Sequence, residues 1–234
     1  MKLLYNEDLL MKFIQMYELD ILLNTVSIND MKLYELMHGD RVCSSGDEID
    51  HLFFLVQGRL KVYTTMSNGK SLALRFNDPL SLIGDVELVT KNKASTTVEC
   101  VRPAILIGIS YSALNQHYVS QPAFLHFLLE HMCYKLTSLN RSSSVNLLYP
   151  LDKKFAGYLT SMMLDSEKGV VLSKIPSHSL NEIADLLGTS YRHLNRVVKQ
   201  FTEIGILERR RGELILLDEQ KLREMAPDDL YLKR

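Results

Sequence analysis

Tyr191, Arg192, Asn195, Arg196 and Lys199 recur in steps of one, three and four residues, which at about 100° per residue places them on one side of a helix. Their chemistry is that of base-edge recognition. Arginine donates two parallel hydrogen bonds to guanine O6 and N7, asparagine matches adenine N6 and N7, and lysine suits a phosphate. The opposite side carries Leu194, Val197, Val198 and Phe201, which require burial. A charged helix face is ordinarily just solvated, so the reading depends on what precedes it.

What precedes it is a second short helix with marked ends. Ser179 and Glu182 form a capping box, the Ser hydroxyl accepting from the N3 amide while the Glu carboxylate reaches back to the cap amide. Gly188 supplies the left-handed conformation that ends this helix, and Thr189 or Ser190 can cap the next. Ala184 is small where the helices approach, and Ile183, Leu187, Leu194 and Val197 take the inward positions of a helix-turn-helix. Charge agrees: residues 188–212 hold six Lys and Arg against Glu203 and Glu208, a net +4 inside a chain whose 27 basic and 28 acidic residues give −1. Such a local basic face, not a uniformly basic coat, is what a DNA backbone would meet. Arg209, Arg210 and Arg211, followed by Gly212, form the tip of a β wing between the apolar runs Gly205–Leu207 and Leu214–Leu217. Tyr191, Arg192 and Arg196 are therefore the expected base readers, with Asn195 beside them. Ser179, Thr189, Ser190, His193 and Lys199 are expected to contact or support phosphate contacts, joined by the wing arginines.

The elements that must position this face lie upstream. Short apolar runs at Leu52–Val56, Leu60–Thr65, Leu72–Phe76, Leu80–Ile83, Thr97–Val101 and Ala104–Ile109 predict an antiparallel roll or barrel, with its clearest hairpin at Ser67-Asn68-Gly69. Leu9–Tyr17 and Asp30–Met37 read as helical clusters. After Pro122 the pattern becomes a long helix in which Leu125, Leu129, Met132, Leu136 and Leu139 alternate four- and three-residue steps, turning polar at Ser143 and Asn146. A narrow 3.5-residue seam finds a partner helix, and with no second heptad run in the chain that partner is another copy, giving a parallel homodimer. Pro150 breaks the helix. The expected organisation is α+β, with a β-roll sensor at residues 1–121, a dimerisation helix and hinge at 122–149, and a winged helix-turn-helix at 150–234.

Other function classes lose their residues. Cys43, Cys100 and Cys133 are far apart with no C-x-x-C spacing, which points to a reduced, cytoplasmic protein. Glu7 and Asp8 interrupt any signal peptide, and the longest uncharged stretch, Pro103–Leu129, is too polar for a membrane span. A cupin-like enzyme needs clustered His and carboxylate ligands, yet His51 is the only histidine between residues 51 and 110, so neither a catalytic nor a metal set is expected. A pure protein-interaction module would leave the +4 segment unexplained.

The order of roll, long helix and winged helix-turn-helix over about residues 40–220 resembles the CRP/FNR family of bacterial transcription regulators. Phe54-Leu-Val-Gln-Gly-Arg-Leu-Lys-Val-Tyr63 is similar to the family's strand-glycine-strand signature, and Leu82-Ile-Gly-Asp-Val-Glu-Leu-Val89 to the helical turn of its phosphate-binding cassette. The Ile-Gly-Asp-Val-Glu-Leu and Ser-Tyr-Arg-His-Leu stretches are also similar to the YeiL-like subgroup. The resemblance implies a cyclic-nucleotide-binding-like β-roll (jelly roll), a homodimer with two recognition helices about 34 Å apart on a near-palindromic operator, and RNA polymerase as a partner. An effector pocket would draw on Arg75, Gly84, Asp85 and Glu87, and on Arg141 and Ser142 of the long helix. Cyclic-nucleotide members close the cassette with an arginine and a serine, whereas Lys91-Asn-Lys-Ala-Ser-Thr-Thr97 has no arginine, and Lys93 lacks the bidentate fork. Cyclic AMP is therefore not expected, no cofactor is required, and the effector is unassigned, with a constitutively active regulator as the alternative. Three cysteines, none before Cys43, cannot supply the four-cysteine cluster of oxygen-sensing members from one chain. A cluster shared between subunits, haem on His117, His126 or His131, and a thiol switch at Cys100 or Cys133 stay open. Any event in the roll is expected to act through a hinge at Ser142–Leu148.

Overall fold

The computed structural model describes residues 1–22, 28–69, 71–117, 121–165, 169–170, 174–176 and 180–227. These fall into two compact units, Met1–Val62 with Phe76–Thr137 and Tyr63–Arg75 with Ser138–Arg234.

The first unit is built around one sheet. Its elements in chain order are β1 (Lys2–Leu4), α1 (Glu7–Met16), α2 (Leu19–Leu22), β2 (Met31–Leu36), β3 (Arg41–Cys43), β4 (His51–Thr65), β5 (Ser71–Asn77), β6 (Leu82–Ile83), α3 (Asp85–Thr90), β7 (Thr97–Ser110), α4 (Tyr111–His117) and α5 (Pro122–Leu148), of which the end of β4 from Tyr63, most of β5 through Arg75 and the end of α5 from Ser138 belong to the second unit. The strand order is β1-β2-β7-β4-β5, with β3 also on β7 and β6 on β4. Asp30–Met37, expected as helix, is instead strand β2: Met31, Leu33 and Leu36 are buried, Lys32 is exposed, and the register runs from Met31 opposite Ile109 to Leu36 opposite Ala104. Pairing with β7, some seventy residues away in sequence, decides a segment whose own pattern was ambiguous.

β4 and β7 are each continuous where two strands were expected. Along β4, Leu52, Phe54 and Val56 join one core cluster with Leu10, Phe13, Phe124 and Leu128. Phe53 and Leu55 join the other, together with Leu60 and Val62 beyond the glycine. Side chains alternate along a strand, so this change from odd to even numbers means that one residue between Val56 and Leu60 slips the register. Gly58 is that residue, with φ +89°; a Cβ there would lie 2.2 Å from the Pro103 carbonyl oxygen and 2.6 Å from Ala104 Cα. The glycine therefore lets β4 roll over against β7 without ending, and both faces of β4 are covered.

Two stripes run side by side along α5. Phe124, Leu128, His131 and Lys135 are buried. Leu125, Leu129 and Leu136 are 46%, 61% and 61% exposed, so these three members of the heptad seam are left uncovered among the described residues. Met132 and Leu139 are half-buried. The two polar members of the buried stripe hold the segment from Leu80 to Asp85. Lys135 Nζ donates to the Leu82 carbonyl at 3.0 Å and pairs with Asp85, a residue only 1% exposed. The His131 ring nitrogens lie 3.0 Å from the Phe127 carbonyl oxygen and 2.8 Å from that of Leu80. A neutral imidazole donates once, so only the imidazolium donates to both.

Cys43 and Cys100 are buried and Cys133 is exposed. Burial, reinforced by Glu87 near Cys43 and by Asp40 near Cys100, pushes both inner thiols up to about 11. Thiolate is the reactive form, so at pH 8 the folded chain is expected to consume one equivalent of a thiol reagent rapidly, at Cys133, and three after denaturation. Rapid modification of Cys100 in the folded protein would restore it as a switch.

The second unit contains α6 (Leu151–Met163), β8 (Leu164–Asp165), β9 (Gly169–Val170), β10 (Lys174–Pro176), α7 (Leu180–Leu186), α8 (Tyr191–Glu203), β11 (Leu207–Arg210), β12 (Glu213–Leu216) and α9 (Glu219–Met225). α5 ends at Leu148 and α6 begins after Pro150, as expected from the proline. β10, β12 and β11 form a small sheet in that order. Phe155 of α6 meets Phe201 of α8 with ring centroids 5.5 Å apart. The Asn68-Gly69 turn also belongs here and forms as expected, with the Gly69 amide donating to the Met66 carbonyl at 2.8 Å.

Candidate nucleic-acid interface

The helix pair expected from the sequence is present. Gly188, at φ +65°, follows α7, and the Thr189 amide returns to the Ala184 carbonyl at 2.9 Å. No atom lies within 4 Å of a Cβ placed on Gly188, so backbone conformation and not crowding calls for glycine. Of the two capping candidates Ser190 is the one used: its backbone is extended and its Oγ accepts from the His193 amide at 3.2 Å. Thr189 Oγ1 instead lies 3.4 Å from His193 Nδ1. Ser179 lies outside the described residues. Ile183, Ala184, Leu187, Leu194, Val197, Val198 and Phe201 are all buried, which turns the polar side of α8 outward.

On that side Tyr191, Arg192, His193, Arg196 and Lys199 are exposed, and Asn195 is half-buried. Arg192 and Arg196 have no hydrogen-bond or ion-pair partner among the described residues. Lys199 lies 3.7 Å from Glu203, so its charge is partly offset. The wing is a tight hairpin, Arg210 opposite Glu213 and Arg209 opposite Leu214. Its three arginines differ in their partners. Arg210 pairs with Glu208 at 3.0 Å, and Arg209 Nη1 donates to Asn195 Oδ1 at 2.9 Å; Arg211, at the tip, has no partner among the described residues. The structure thus brings eleven of the twelve expected DNA-facing residues onto one helix, the turn before it and one hairpin.

Two family models match the chain, the cyclic nucleotide-binding domain over residues 34–120 and the Crp-like helix-turn-helix domain over residues 153–225. This chain belongs to the CRP/FNR family. The Regulatory protein YeiL of Escherichia coli O157:H7 is 26% identical over 218 residues, 91% of this chain and 94% of that protein. The transcriptional regulator flp of Lacticaseibacillus casei is 23% identical over 185 residues, covering 79% and 83% of the two chains. Among solved structures, a crp/fnr-family regulator from Eubacterium rectale has the same fold, with TM-score 0.73 and 16% identity over 88% of this chain and 92% of that one. As a CRP/FNR protein the chain is a transcription regulator with a DNA-binding helix-turn-helix, and no helix among its described residues is long and apolar enough to cross a membrane.

The effector candidates of this CRP/FNR chain divide between the units. Gly84, Asp85 and Glu87 stand together at the start of α3, where Tyr111 Oη donates to the Gly84 carbonyl at 2.6 Å. Burial raises the Tyr111 phenol well above its ordinary range, with Glu87 adding to the effect. Arg75 belongs to β5 in the other unit, as do Arg141 and Ser142 of α5, whose side chains lie outside the described set. Lys93, weighed above as a stand-in for the missing cassette arginine, is 65% exposed and 3.6 Å from Glu48. The buried cation beside α3 is Lys135, which periodicity of the dimer seam passed over. Its signal was the second stripe at 124, 128, 131 and 135, one residue out of step with the first. Among the histidines open to haem, His131 has both nitrogens engaged and His126 lies exposed 3.6 Å from Glu130; the His117 side chain lies outside the described set. No group of three or more metal-ligating side chains occurs among the described residues.

Proposed function

We propose that the protein is a homodimeric, sequence-specific regulator that reads a near-palindromic operator, organised as a sensor roll (1–121), a dimerisation helix and hinge (122–149) and a winged helix-turn-helix (150–234). The observation that carries this reading is the pair Arg192 and Arg196, exposed and unpartnered among the described residues on the outward side of a helix whose inner side is fully packed. Tyr191, Arg192 and Arg196 take base edges. Thr189, Ser190, His193, Lys199, Arg210 and Arg211, with Ser179, contact phosphate or support those contacts. Exposed Leu125, Leu129 and Leu136, with half-buried Met132 and Leu139 in the same seam, support pairing with a second copy through α5, and RNA polymerase is the partner through which DNA binding would act on transcription.

The effector in this reading is not cyclic AMP. Lys135 already neutralises Asp85 beside α3, and Lys93 faces outward. The pairing of buried Asp85 by the chain's own Lys135 also favours a second reading, a regulator active without an effector. Selection of bound sequences from random duplex DNA tests the main reading. Wild type is expected to enrich a palindrome with half-sites one helical turn apart, and Leu129→Lys with Leu136→Lys, which charges the seam, is expected to lose the palindrome and sediment as monomer. Enrichment of half-sites only by a wild-type dimer would overturn the paired-helix reading.

A further inference from the structure

Asn195 differs from its neighbours on α8 in three respects. It is half-buried where Arg192, Arg196 and Lys199 are exposed. On the helical wheel it stands at the flank of the polar side and not at its centre, and it lies a full turn behind Tyr191, the first residue of α8, whose place at the N-terminal end takes it to the base edges. Its Oδ1 already accepts a hydrogen bond, at 2.9 Å, from Arg209 of the wing, fourteen residues away. Pairing with adenine would need that same oxygen to accept from N6 while the amide nitrogen donates to N7.

The wing arginine gains from the arrangement. A guanidinium has five N–H donors, so the bond to Asn195 leaves four for DNA. Asn195 is a neutral acceptor and holds Arg209 without cancelling its charge, unlike Glu208, which pairs with Arg210, or Glu203, which lies near Lys199. Location selects the DNA group. An α-helix with its side chains is about 10–12 Å across and the major groove about 12 Å wide, so a recognition helix fills the groove and its flanks face the walls. The walls are sugar and phosphate.

We propose that Asn195 is a positioning residue acting through Arg209, fixing the wing guanidinium at the flank of the recognition helix as a preset clamp for one backbone phosphate. The proposal rests on the DNA-reading function proposed above and assigns Asn195 a role other than reading a base. The bond orders Arg209 before DNA arrives, removing part of the entropy cost of immobilising a long side chain.

A double-mutant cycle on the selected operator tests it, using Asn195→Ala, Arg209→Ala and the two together in the full-length protein. Asn195→Ala is expected to weaken binding by about 2- to 10-fold per subunit, with unchanged base preferences and a salt slope near that of wild type. Arg209→Ala should weaken binding at least as much and lower the slope by about 0.9 per subunit. The double variant should match Arg209→Ala alone. Loosened preference at one base pair in Asn195→Ala, additive with Arg209→Ala, would make Asn195 a base reader and overturn the proposal, as would no effect of either change. Thermal melts unchanged from wild type keep misfolding out of the comparison. Failure of the underlying reading has its own signature: wild type then shows no affinity for any selected duplex, and the proposal falls with it.

Discussion

Arg192→Ala combined with Arg196→Ala is expected to remove specific DNA binding while leaving fold and dimer intact. Each side chain is exposed and has no partner among the described residues, so its loss strands no buried group. A bidentate arginine–guanine contact is worth about 1–3 kcal/mol of discrimination, so two lost contacts amount to about 2–6 kcal/mol per half-site. At a factor of ten for each 1.4 kcal/mol, even the low end is on the order of 30-fold, and two half-sites multiply it. The salt dependence separates base reading from a general charge effect. Removing a phosphate contact lowers the slope of log K against log[salt] by about 0.9, the behaviour expected of Arg211→Ala. A base-reading arginine contributes to specificity without releasing a counterion, so the double variant should lose affinity with little change of slope and converge on the non-specific level. Uniform weakening across all sequences, with a slope lower by about two per subunit, would make both residues phosphate contacts and move base reading elsewhere on α8.

The helix-turn-helix was legible because its determinants are local. A cap at Ser190, a glycine at 188 and an apolar stripe at 194, 197, 198 and 201 each act within a turn or two of the chain. The roll was legible in outline and wrong in detail where distant strands decide. Met31–Leu36 takes its strand conformation from β7, and Gly58 reads as a break until Pro103 and Ala104 are seen against it. The seam on α5 was visible as a repeat, but the neighbouring stripe was not read as a face, since a histidine and a lysine in a helix are ordinarily taken as solvated. Their burial depends on carbonyls at Leu80 and Leu82 and a carboxylate at Asp85, about fifty residues upstream. The Arg209–Asn195 bond escaped for the same reason, joining two residues that the sequence assigns to separate elements.

Lys135→Met is expected to destabilise the first unit strongly, because it strips a buried carboxylate of its counterion. Asp85 is 1% exposed, its Oδ2 accepts no hydrogen bond from any described residue, and Lys135 is the cation beside it. Removing one member of a buried pair leaves an uncompensated charge and costs about 3–5 kcal/mol, whereas replacing both members with neutral groups is far milder. For a chain of this size that loss corresponds to a fall in Tm on the order of 10 °C, read at fixed protomer concentration because dimerisation contributes to stability. Asp85→Asn added to Lys135→Met should recover most of the loss, since an amide needs no counterion. That recovery is what distinguishes the charge from the packing of the lysine stem, which both variants alter alike. Chemical denaturation of wild type and the two variants measures it. Lys135→Met within about 1 kcal/mol of wild type, the ordinary range of an exposed pair, would mean that water reaches the Asp85 carboxylate in solution and that α3 and α5 are not tied through it.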